Sequence, residues 1–322
     1  MKAIQVSQPG DVSVLEFIDT AKPQIKPGML LVKNKYSGVN YIDTYFRSGL
    51  YPTPMPTFLG REASGVIEEV GEGISEFSVG DRVAFLTPNN SYAEYSLVSP
   101  ASMIKLLDSI DFETGAACLL QGLTALTMVK RSYQVKKGDI ILVHAAAGGT
   151  GRLLVQLCKH YGATVIATVS TEEKAKIALS LGADHVIFYN TENVAERVGA
   201  LTGGQMVNAV FDGVGKNTFM ASFDSLRRCG TLVSFGNASG KVPPIEINML
   251  SKGNIVLLRP MLSHYIATRE EFTEATTALL DLISHNALNI NVCKVFDLKD
   301  AALAHEFLEG RNTTGKVLLK IE

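Results

Sequence analysis

The residues whose types and spacing most clearly suggest chemistry are the small ones of segment 145–151, which reads AAAGGTG. Residues 140–144, just before them, form a short apolar run rich in β-formers, which predicts a buried strand. Leu153, Leu157 and Tyr161 then recur at helical spacing. A strand, a small-residue turn and a helix in this order are typical of the phosphate-binding unit of a dinucleotide fold.

The glycines of this turn match the usual G-x-G-x-x-G fingerprint incompletely, because Ala146 stands at the first glycine position. Gly148 would let a pyrophosphate approach the backbone, and Gly151 would let the helix pack closely on the strand. The free N–H groups at the start of the helix would face the phosphates. A tight strand-to-helix turn without any ligand is the alternative interpretation of the same residues.

The residues after the second predicted strand, 164–169, bear on which dinucleotide would bind. An NAD site usually has Asp or Glu at this strand tip to bond the ribose 2′-OH. Here Ser170 and Thr171 follow the strand, and Lys174 lies one turn further. Hydroxyl groups and an ammonium group would supply donors and positive charge to a 2′-phosphate, which favours NADPH. Ser170 as a helix N-cap and Lys174 on a solvated helix face are the structural alternatives.

The sequence offers few ligands for a metal ion. A catalytic zinc needs Cys, His and acidic ligands around one open position, but Arg61 stands in Gly60-Arg61-Glu62 where a ligand histidine would be useful. His144 lies in the first predicted strand, where a lone histidine is more often structural, and we identify no Ser–Lys–Tyr or Ser–His pair with a persuasive acid–base role. We therefore expect no metal, and expect the chemistry to depend on the cofactor in a dry pocket.

Length and composition limit the class of protein. The 322 residues suit about two domains, and 46% hydrophobic with 19% charged residues predicts a sizeable core. A net charge near −2 gives no basic signature for nucleic acid. We expect no membrane span, because no apolar run approaches roughly 18 residues, and no secretory signal at the acidic N-terminal segment. The four widely spaced cysteines look like buried apolar residues, which fits a reducing cytosol.

Two kinds of periodicity divide the chain. Residues 1–35 and 58–98 alternate apolar and polar residues with frequent Gly and Pro, which predicts short antiparallel strands, and a short helix or turn is expected at 40–50. From about Phe112 the period is helical, and strands then alternate with helices, which predicts a parallel, right-handed, doubly wound sheet. The expected elements are strands at 140–144, 164–169, 185–189, 207–212, 231–235 and 316–321 and helices at 269–285 and 300–309.

Six motifs in a fixed order extend over essentially the whole chain: NYIDTYFRSGLYP (40–52), GREASGVIEEVG (60–71), VGDRV (79–83), HAAAGGTG (144–151), VSFGNASG (233–240) and LEGRNTTGKVLL (308–319). Together they resemble the zinc-free quinone oxidoreductases, the zeta-crystallin-like branch of the medium-chain dehydrogenases/reductases. The resemblance implies an α/β fold, with a GroES-like β-domain for substrate and catalysis formed by residues 1–119 and 260–322. It implies a Rossmann NADPH-binding domain at 120–259, NADPH as hydride donor, a quinone or activated enone as acceptor, and commonly a homodimer.

The same resemblance implies site residues position by position. The cofactor-binding residues would be Tyr41, Thr127, Gly148, Gly149, Thr150, Gly151, Ser170, Thr171, Lys174, Tyr189, Val214, Phe235, Gly236, Asn237, Met261, Leu262 and Arg311. Within this set Gly148 to Gly151 would hold the pyrophosphate, and Ser170, Thr171, Lys174 and Tyr189 the 2′-phosphate end. Two positions depart from the family: Thr150 stands where valine is frequent, and Arg152 where an apolar residue is usual.

Asn40 and Tyr45 would be the catalytic residues. We expect direct transfer of the nicotinamide C4 hydride to the acceptor, with the proton coming from Tyr45 or ordered water. A capped helical turn with a packing tyrosine is the structural alternative for Asn40 and Tyr45. Reduction of an enone or alkenal double bond is the alternative activity. An NADPH- or RNA-binding protein with little turnover is the alternative from another class, although the chain has no basic patch interleaved with aromatic residues.

Overall fold

The computed structural model describes residues 1–321, which form two compact units. Unit 1 comprises residues 1–121, 268–277 and those from Ile290 onward, and unit 2 comprises residues 122–267 and 278–289. The strands are β1 (Lys2–Val6), β2 (Leu15–Asp19), β3 (Leu30–Val39), β4 (Thr57–Phe58), β5 (Glu62–Val70), β6 (Arg82–Leu86), β7 (Tyr95–Val98), β8 (Met103–Lys105), β9 (Ile140–Val143), β10 (Thr164–Val169), β11 (His185–Phe188), β12 (Val207–Asp212), β13 (Leu226–Ser234), β14 (Val256–Leu258), β15 (Val292–Asp297) and β16 (Lys316–Lys320).

The α-helices are α1 (Tyr41–Arg47), α2 (Phe112–Thr127), α3 (Gly149–His160), α4 (Glu172–Ser180), α5 (Val194–Leu201), α6 (Phe219–Asp224), α7 (Leu262–Tyr265), α8 (Arg269–Ser284) and α9 (Ala301–Glu309). Helices α2 and α8 are each divided between the two units.

Unit 1 is a β-domain assembled from both ends of the chain. Its larger sheet has the order β15-β16-β3-β5-β6-β8, with β7 also pairing with β3, and a smaller sheet has the order β2-β1-β4. The C-terminal strand β16 runs antiparallel to β3, with Val317 opposite Val39. Alternating apolar residues of the strands, such as Leu30 and Val32, turn to a shared core with Phe85. The GroES-like β-fold expected for this part is confirmed.

Unit 2 contains a six-stranded sheet in which every strand is parallel to its neighbours. The order is β11-β10-β9-β12-β13-β14, so the chain moves outward from β9 first to one side and then to the other. This is the doubly wound arrangement, in which ligands bind at the carboxyl ends of the strands where the order reverses. The central strands are buried along almost their whole length and are mainly apolar, as is typical of a parallel sheet with helices on both faces. The predicted Rossmann fold is confirmed.

Two features of this sheet differ from the sequence prediction. Strand β13 begins at Leu226 rather than near residue 231, and Cys229, with φ of 59°, lies where its register with β12 shifts. The sixth strand, β14, was not predicted, because three residues are too few to show a period.

The last 60 residues are divided between the two units, whereas a single boundary at residue 260 was expected. Residues 260–267 and 278–289 belong to unit 2, whereas 268–277 and the segment from Ile290 onward belong to unit 1. Helix α8 changes units along its length, so no loop marks the change in the sequence.

Residues 112–132, comprising α2 and the π-helical turn that follows it, are long and apolar enough to cross a membrane by length and composition. However, 67% of their most apolar window is buried inside the protein. Such burial is typical of the core helix of a globular protein, as Leu119 and Leu123 at 0% exposure illustrate. This helix is weak evidence for a membrane span.

Candidate functional site

The turn between β9 and α3 has the geometry of a phosphate cradle. Ala145 adopts a left-handed conformation with φ of 49°, and the Gly148 N–H donates to the Ala145 carbonyl at 2.9 Å. Gly148 is the N-cap residue of α3 and lacks a side chain that could satisfy the N–H groups of the first helical turn. These groups and the positive end of the twelve-residue helix are suited to an anion.

Gly148 and Gly151 are glycines for different reasons. A Cβ on Gly151 would collide with the backbone of Ala145, so the protein itself requires glycine there for α3 to pack on the turn. A Cβ on Gly148 would have one near neighbour, the Ala145 carbonyl oxygen at 3.2 Å, and its φ of −77° is ordinary. Internal packing therefore constrains Gly148 much less than Gly151, and the bare backbone at the start of the helix fits the phosphates of a dinucleotide. Gly149 and Thr150 are half-buried in the first turn of α3.

The carboxyl ends of β10 and β11 bring together the residues expected at the 2′-phosphate end. The Tyr189 N–H donates to the Val169 carbonyl at 3.3 Å, and Asn190 Nδ2 donates to the Ser170 carbonyl at 3.3 Å. Thr171, not Ser170, is the N-cap of α4, since its Oγ1 accepts from the Lys174 N–H at 3.3 Å. The cap interpretation offered for Ser170 is therefore wrong by one residue. Asn190, which the sequence analysis did not single out, joins this group.

The ends of β12 and β13 form a second pair of turns. The Asp212 carboxylate accepts from the Val214 N–H at 2.8 Å, and the Phe235 N–H donates to the Asp212 carbonyl at 2.8 Å. A Cβ on Gly236 would collide with the Gly213 carbonyl, so these turns touch through their backbones. Arg259, a residue not anticipated, donates to the carbonyls of Ser234 and Gly236, each at 2.9 Å. Four expected residues thus lie together at the carboxyl ends of the parallel strands β12 and β13: Val214, Phe235, Gly236 and Asn237.

Three other expected cofactor residues belong to unit 2 but have different surroundings. The Thr127 hydroxyl is buried and donates to the Leu123 carbonyl at 2.8 Å, one turn back in α2. Met261 is 59% exposed and is the N-cap residue of the short helix α7, which begins at Leu262.

In unit 1, Asn40 takes part in a buried charged cluster. Lys316 and Glu62 form an ion pair and are each at most 1% exposed. Asn40 Nδ2 donates to Glu62 Oε1 at 2.9 Å and to the Gly38 carbonyl at 3.2 Å, while Asn40 Oδ1 accepts from Lys316 Nζ at 2.7 Å. Both amide hydrogens and the amide oxygen of Asn40 are therefore engaged inside unit 1. Sequence spacing did not indicate this cluster, because its members lie far apart along the chain.

A second buried network begins at Asp43 in the first turn of α1. Asp43 Oδ2 accepts from the Asn40 N–H and from the Tyr92 hydroxyl, each at 2.9 Å, whereas Oδ1 is buried with no hydrogen-bond partner among residues 1–321. Burial raises the pKa of Asp43 to about 6, against the lowering effect of these hydrogen bonds. Tyr92 continues the network to His305 Nε2 at 3.2 Å, and burial lowers the pKa of His305 to about 3. Arg47 lies on the other side of His305, with Nη1 at 3.2 Å from Nδ1.

The remaining expected residues of unit 1 are Tyr41, Tyr45 and Arg311. The Tyr41 hydroxyl donates to the Leu308 carbonyl at 2.9 Å. Tyr45 is 8% exposed, and its ring packs edge-on against Tyr51 with centroids 5.2 Å apart. Arg311 is exposed and has a left-handed backbone with φ of 59°.

The environment of Arg61 bears on metal binding. Its Nη1 donates to the Pro88 carbonyl at 2.6 Å, and its guanidinium lies 5.1 Å from the centre of the Phe46 ring. Burial lowers the pKa of Arg61, while the charge of Asp43 opposes this. Within residues 1–321, no group of three or more His, Cys, Asp or Glu side chains could hold a metal ion. Zinc independence remains a prediction.

The chain resembles known proteins along nearly its whole length. Residues 26–108 match the alcohol dehydrogenase GroES-like domain family, and residues 149–281 match the zinc-binding dehydrogenase family. A probable quinone oxidoreductase of Schizosaccharomyces pombe is 44% identical over 98% of this chain and 96% of its own. A 2-haloacrylate reductase of Burkholderia is 40% identical over 91% of both chains. The crystal structure of Escherichia coli quinone oxidoreductase complexed with NADPH superimposes with a TM-score of 0.97 at 39% identity, covering 100% of both chains.

Proposed function

The chain belongs to the quinone oxidoreductases of the medium-chain dehydrogenase/reductase superfamily, and we propose that it is an NADPH-dependent oxidoreductase that reduces quinones. The observation that carries the proposal is the cradle between β9 and α3, where Gly148 presents bare backbone at the N-terminus of a twelve-residue helix. When bound, NADPH supplies a hydride from C4 of its nicotinamide ring. The chain's own residues bind and orient the cofactor and exclude water from it.

Cofactor selectivity belongs to the ends of β10 and β11. Ser170, Thr171 and Lys174 would hold the 2′-phosphate with hydroxyl and ammonium donors, and Tyr189 and Asn190 would border the same position. Gly148 to Gly151 would hold the pyrophosphate. Unit 2 is accordingly the NADPH-binding unit of the proposal, and unit 1 the substrate and catalytic unit. The further assignments to Tyr41, Thr127, Val214, Phe235, Gly236, Asn237, Met261, Leu262 and Arg311 are part of this proposal.

Tyr45 and Asn40 take different roles in the proposal. Tyr45 is the candidate proton donor, because it is a buried tyrosine in α1, the helix that begins directly after Asn40. Asn40 acts as a positioning residue: Glu62, Lys316 and the Gly38 carbonyl already occupy its donors and its acceptor. A quinone accepts a hydride readily, so its reduction demands less acid catalysis than that of a simple ketone.

Reduction of an activated carbon–carbon double bond is the second candidate activity. The Burkholderia relative favours this second activity, because its name, 2-haloacrylate reductase, indicates an activated double bond as substrate whereas other relatives at similar identity are named for quinones. Both activities require the same cofactor, so the cofactor site does not distinguish them. The acceptor does.

We further infer a homodimer in the cytoplasm. Strand β14 is an edge of the unit 2 sheet, and apolar side chains around it are exposed: Ile247 at 77%, Val256 at 54% and Met261 at 59%. An unpaired sheet edge with exposed apolar residues is suited to a second copy of the chain. The cysteines Cys118, Cys158, Cys229 and Cys293 are all free thiols, which suits a reducing compartment.

An acceptor panel tests the proposed function. Purified protein is given NADPH or NADH with benzoquinones, naphthoquinones, enones and 2-haloacrylate, and oxidation of the cofactor is followed by absorbance. We expect NADPH oxidation with quinones to exceed that with every other acceptor. Faster turnover of enones or haloacrylate would favour the second candidate. No turnover, together with RNA retention in a filter-binding assay, would favour an RNA-binding protein and contradict both.

A further inference from the structure

Beneath the proposed cofactor site, four buried polar side chains connect the carboxyl ends of the central strands. We propose that His144 is a positioning residue, held by Ser222 and Thr168 as the neutral Nε2-protonated tautomer, and that this chain of side chains, ending at Asp212, holds the turns 145–151 and 213–218 in place for NADPH. The inference rests on the NADPH-binding function proposed above. We name Thr168, His144, Ser222 and Asp212 the buried relay.

The geometry of the buried relay is continuous. Thr168 Oγ1 lies 3.0 Å from His144 Nδ1, His144 Nε2 lies 3.0 Å from Ser222 Oγ, and Ser222 Oγ lies 2.8 Å from Asp212 Oδ2. His144 is 2% exposed, and the other three residues are 0% exposed. The residues come from the ends of β9, β10 and β12 and from α6, as much as 78 residues apart in sequence.

The direction of each hydrogen bond follows from the capacity of the groups. An ionised carboxylate has only acceptors, and the Asp212 carboxylate also accepts from the N–H groups of Val214 and Gly215, at 2.8 and 3.0 Å. Ser222 has one hydroxyl hydrogen, which it must donate to Asp212. It can therefore only accept from His144, so Nε2 carries the hydrogen. His144 Nδ1 is then an acceptor, and the Thr168 hydroxyl donates to it.

The environment keeps His144 neutral. Burial lowers the pKa of His144, while the negative charge of Asp212 opposes the lowering. With its two ring nitrogens engaged and its ring out of contact with solvent, this histidine is suited to orientation rather than to proton exchange with a substrate.

Each end of the buried relay is tied to a turn of the proposed cofactor site. Thr168 is tied to the phosphate turn, since its carbonyl accepts from the Ala146 N–H at 3.2 Å. Asp212 organises the other turn by accepting from the N–H groups of Val214 and Gly215. Gly215 has φ of +89°, a left-handed conformation that this tight turn requires and that glycine adopts without strain. The Thr218 hydroxyl also donates to the Asp212 carboxylate, so this end of the relay has a second support. Loss of one bond within the relay would therefore shift the strand ends that carry both turns, without removing any group that touches the cofactor.

Ser222→Ala tests the inference, with Ser225→Ala as the matched control. Both serines are buried at 0% exposure, but Ser225 Oγ donates to the Ala221 carbonyl at 2.6 Å and is outside the relay. We expect Ser222→Ala to weaken NADPH binding about tenfold, the effect of one hydrogen bond to a charged group, with kcat at saturating NADPH nearly unchanged. Thr168→Val, which keeps the shape of the side chain, should act in the same direction if Ser222→Ala folds poorly by circular dichroism.

A spectroscopic readout that needs no cofactor accompanies the binding assay. In histidine-labelled protein, ¹⁵N NMR should find His144 neutral and protonated at Nε2 at neutral pH, and Ser222→Ala should disturb this signature whereas Ser225→Ala should not. An Nδ1-protonated or doubly protonated His144 in the parent would overturn the inference. Equal losses of NADPH affinity in the two serine variants would also overturn it, while leaving the proposed function intact. A parent with the expected tautomer that does not bind NADPH would instead overturn the proposed function and the role of the relay in it.

Discussion

At the scale of single residues, Lys174 is expected to distinguish NADPH from NADH. Only NADPH has the 2′-phosphate that the ammonium group would contact, so Lys174→Ala should weaken NADPH by roughly 1.5–3 kcal/mol, a ten- to hundredfold loss of affinity, and leave NADH binding almost unchanged. Fluorescence titration of both cofactors measures the difference. Lys176→Ala, an exposed lysine on the same helix, is the control. Equal losses for the two cofactors would contradict the assignment of this end of the site.

Asp43 is expected to make the stability of the protein depend on pH. Its folded pKa of about 6 lies above the ordinary value of 3.8, so the folded state binds the proton more tightly than the unfolded state. The free energy of unfolding should therefore gain a contribution as the pH falls from about 6 to about 4. Asp43→Asn removes the titrating group, so the free energy of unfolding of the parent relative to this variant should rise by about 2 kcal/mol between pH 7 and pH 4.

Urea unfolding of both proteins at several pH values measures this contribution. The groups that face Asp43 are Asn40, Tyr92, Arg61 and Lys316, and all of them remain in the variant. His305, whose pKa is lowered to about 3, has the opposite effect: its contribution to stability is complete above its ordinary pKa of 6.5 and is lost as the pH falls. Because His305 is present in both proteins, its effect largely cancels in the comparison. Exposed Asp108→Asn is the control. A difference between parent and Asp43→Asn that is independent of pH would contradict the prediction.

At the scale of elements, the turn between β9 and α3 should separate folding from binding. Gly148→Val should still fold, with a smaller loss of melting temperature than Gly151→Ala, because the φ of −77° suits any residue and a Cβ there has one tight contact, the Ala145 carbonyl oxygen at 3.2 Å. It should nevertheless lose NADPH binding, since the side chain would occupy the space of a phosphate oxygen.

Gly151→Ala provides the contrast to that variant. Its Cβ would collide with the Ala145 backbone, so we expect a loss of stability of about 1–3 kcal/mol from forced displacement of α3. Circular dichroism melting reports the fold, and cofactor fluorescence reports binding. A folded Gly148→Val protein that binds NADPH as tightly as the parent would mean that the turn is only a connection.

At the scale of the whole molecule, activity and stability should not depend on a metal. Arg61 lies against Pro88 and Phe46, in the position where a zinc ligand would be useful. Dialysis against a strong chelator should leave the turnover rate and the melting temperature unchanged, and elemental analysis should find far less than one zinc per chain. One tightly bound zinc per chain would refute this prediction.

Association between chains is the second property of the whole molecule that can be tested. Val256→Lys adds charge to the exposed edge strand β14, so it should convert a dimer into a monomer in analytical ultracentrifugation. Leu303→Lys, which changes a similarly exposed apolar residue of unit 1, should leave the dimer intact. A parent protein that is already monomeric would contradict the proposed assembly.

The sequence by itself determined those features that depend on neighbours along the chain. The strand–turn–helix unit at 140–160 was predictable because apolar periodicity and small residues are local signals, and the repeated alternation of strands and helices gave the parallel sheet. The order of motifs gave the family and, through it, the expected site residues. The strand β14 and the unit boundary within α8 escaped prediction, because three residues show no period and a continuous helix shows no break.

Only the tertiary structure decided which distant side chains meet. His144 looked like a lone strand histidine, and no Ser–His pair stood out in the sequence, yet folding brings His144 within 3.0 Å of Ser222. In the same way Glu62, Lys316 and Asn40 meet although Lys316 is 276 residues from Asn40. Periodicity records which face of an element is buried, but the partner of a buried polar group depends on how strands from different parts of the chain are ordered in a sheet. A buried charge or hydroxyl needs such a partner, so these contacts could be found only in the folded molecule.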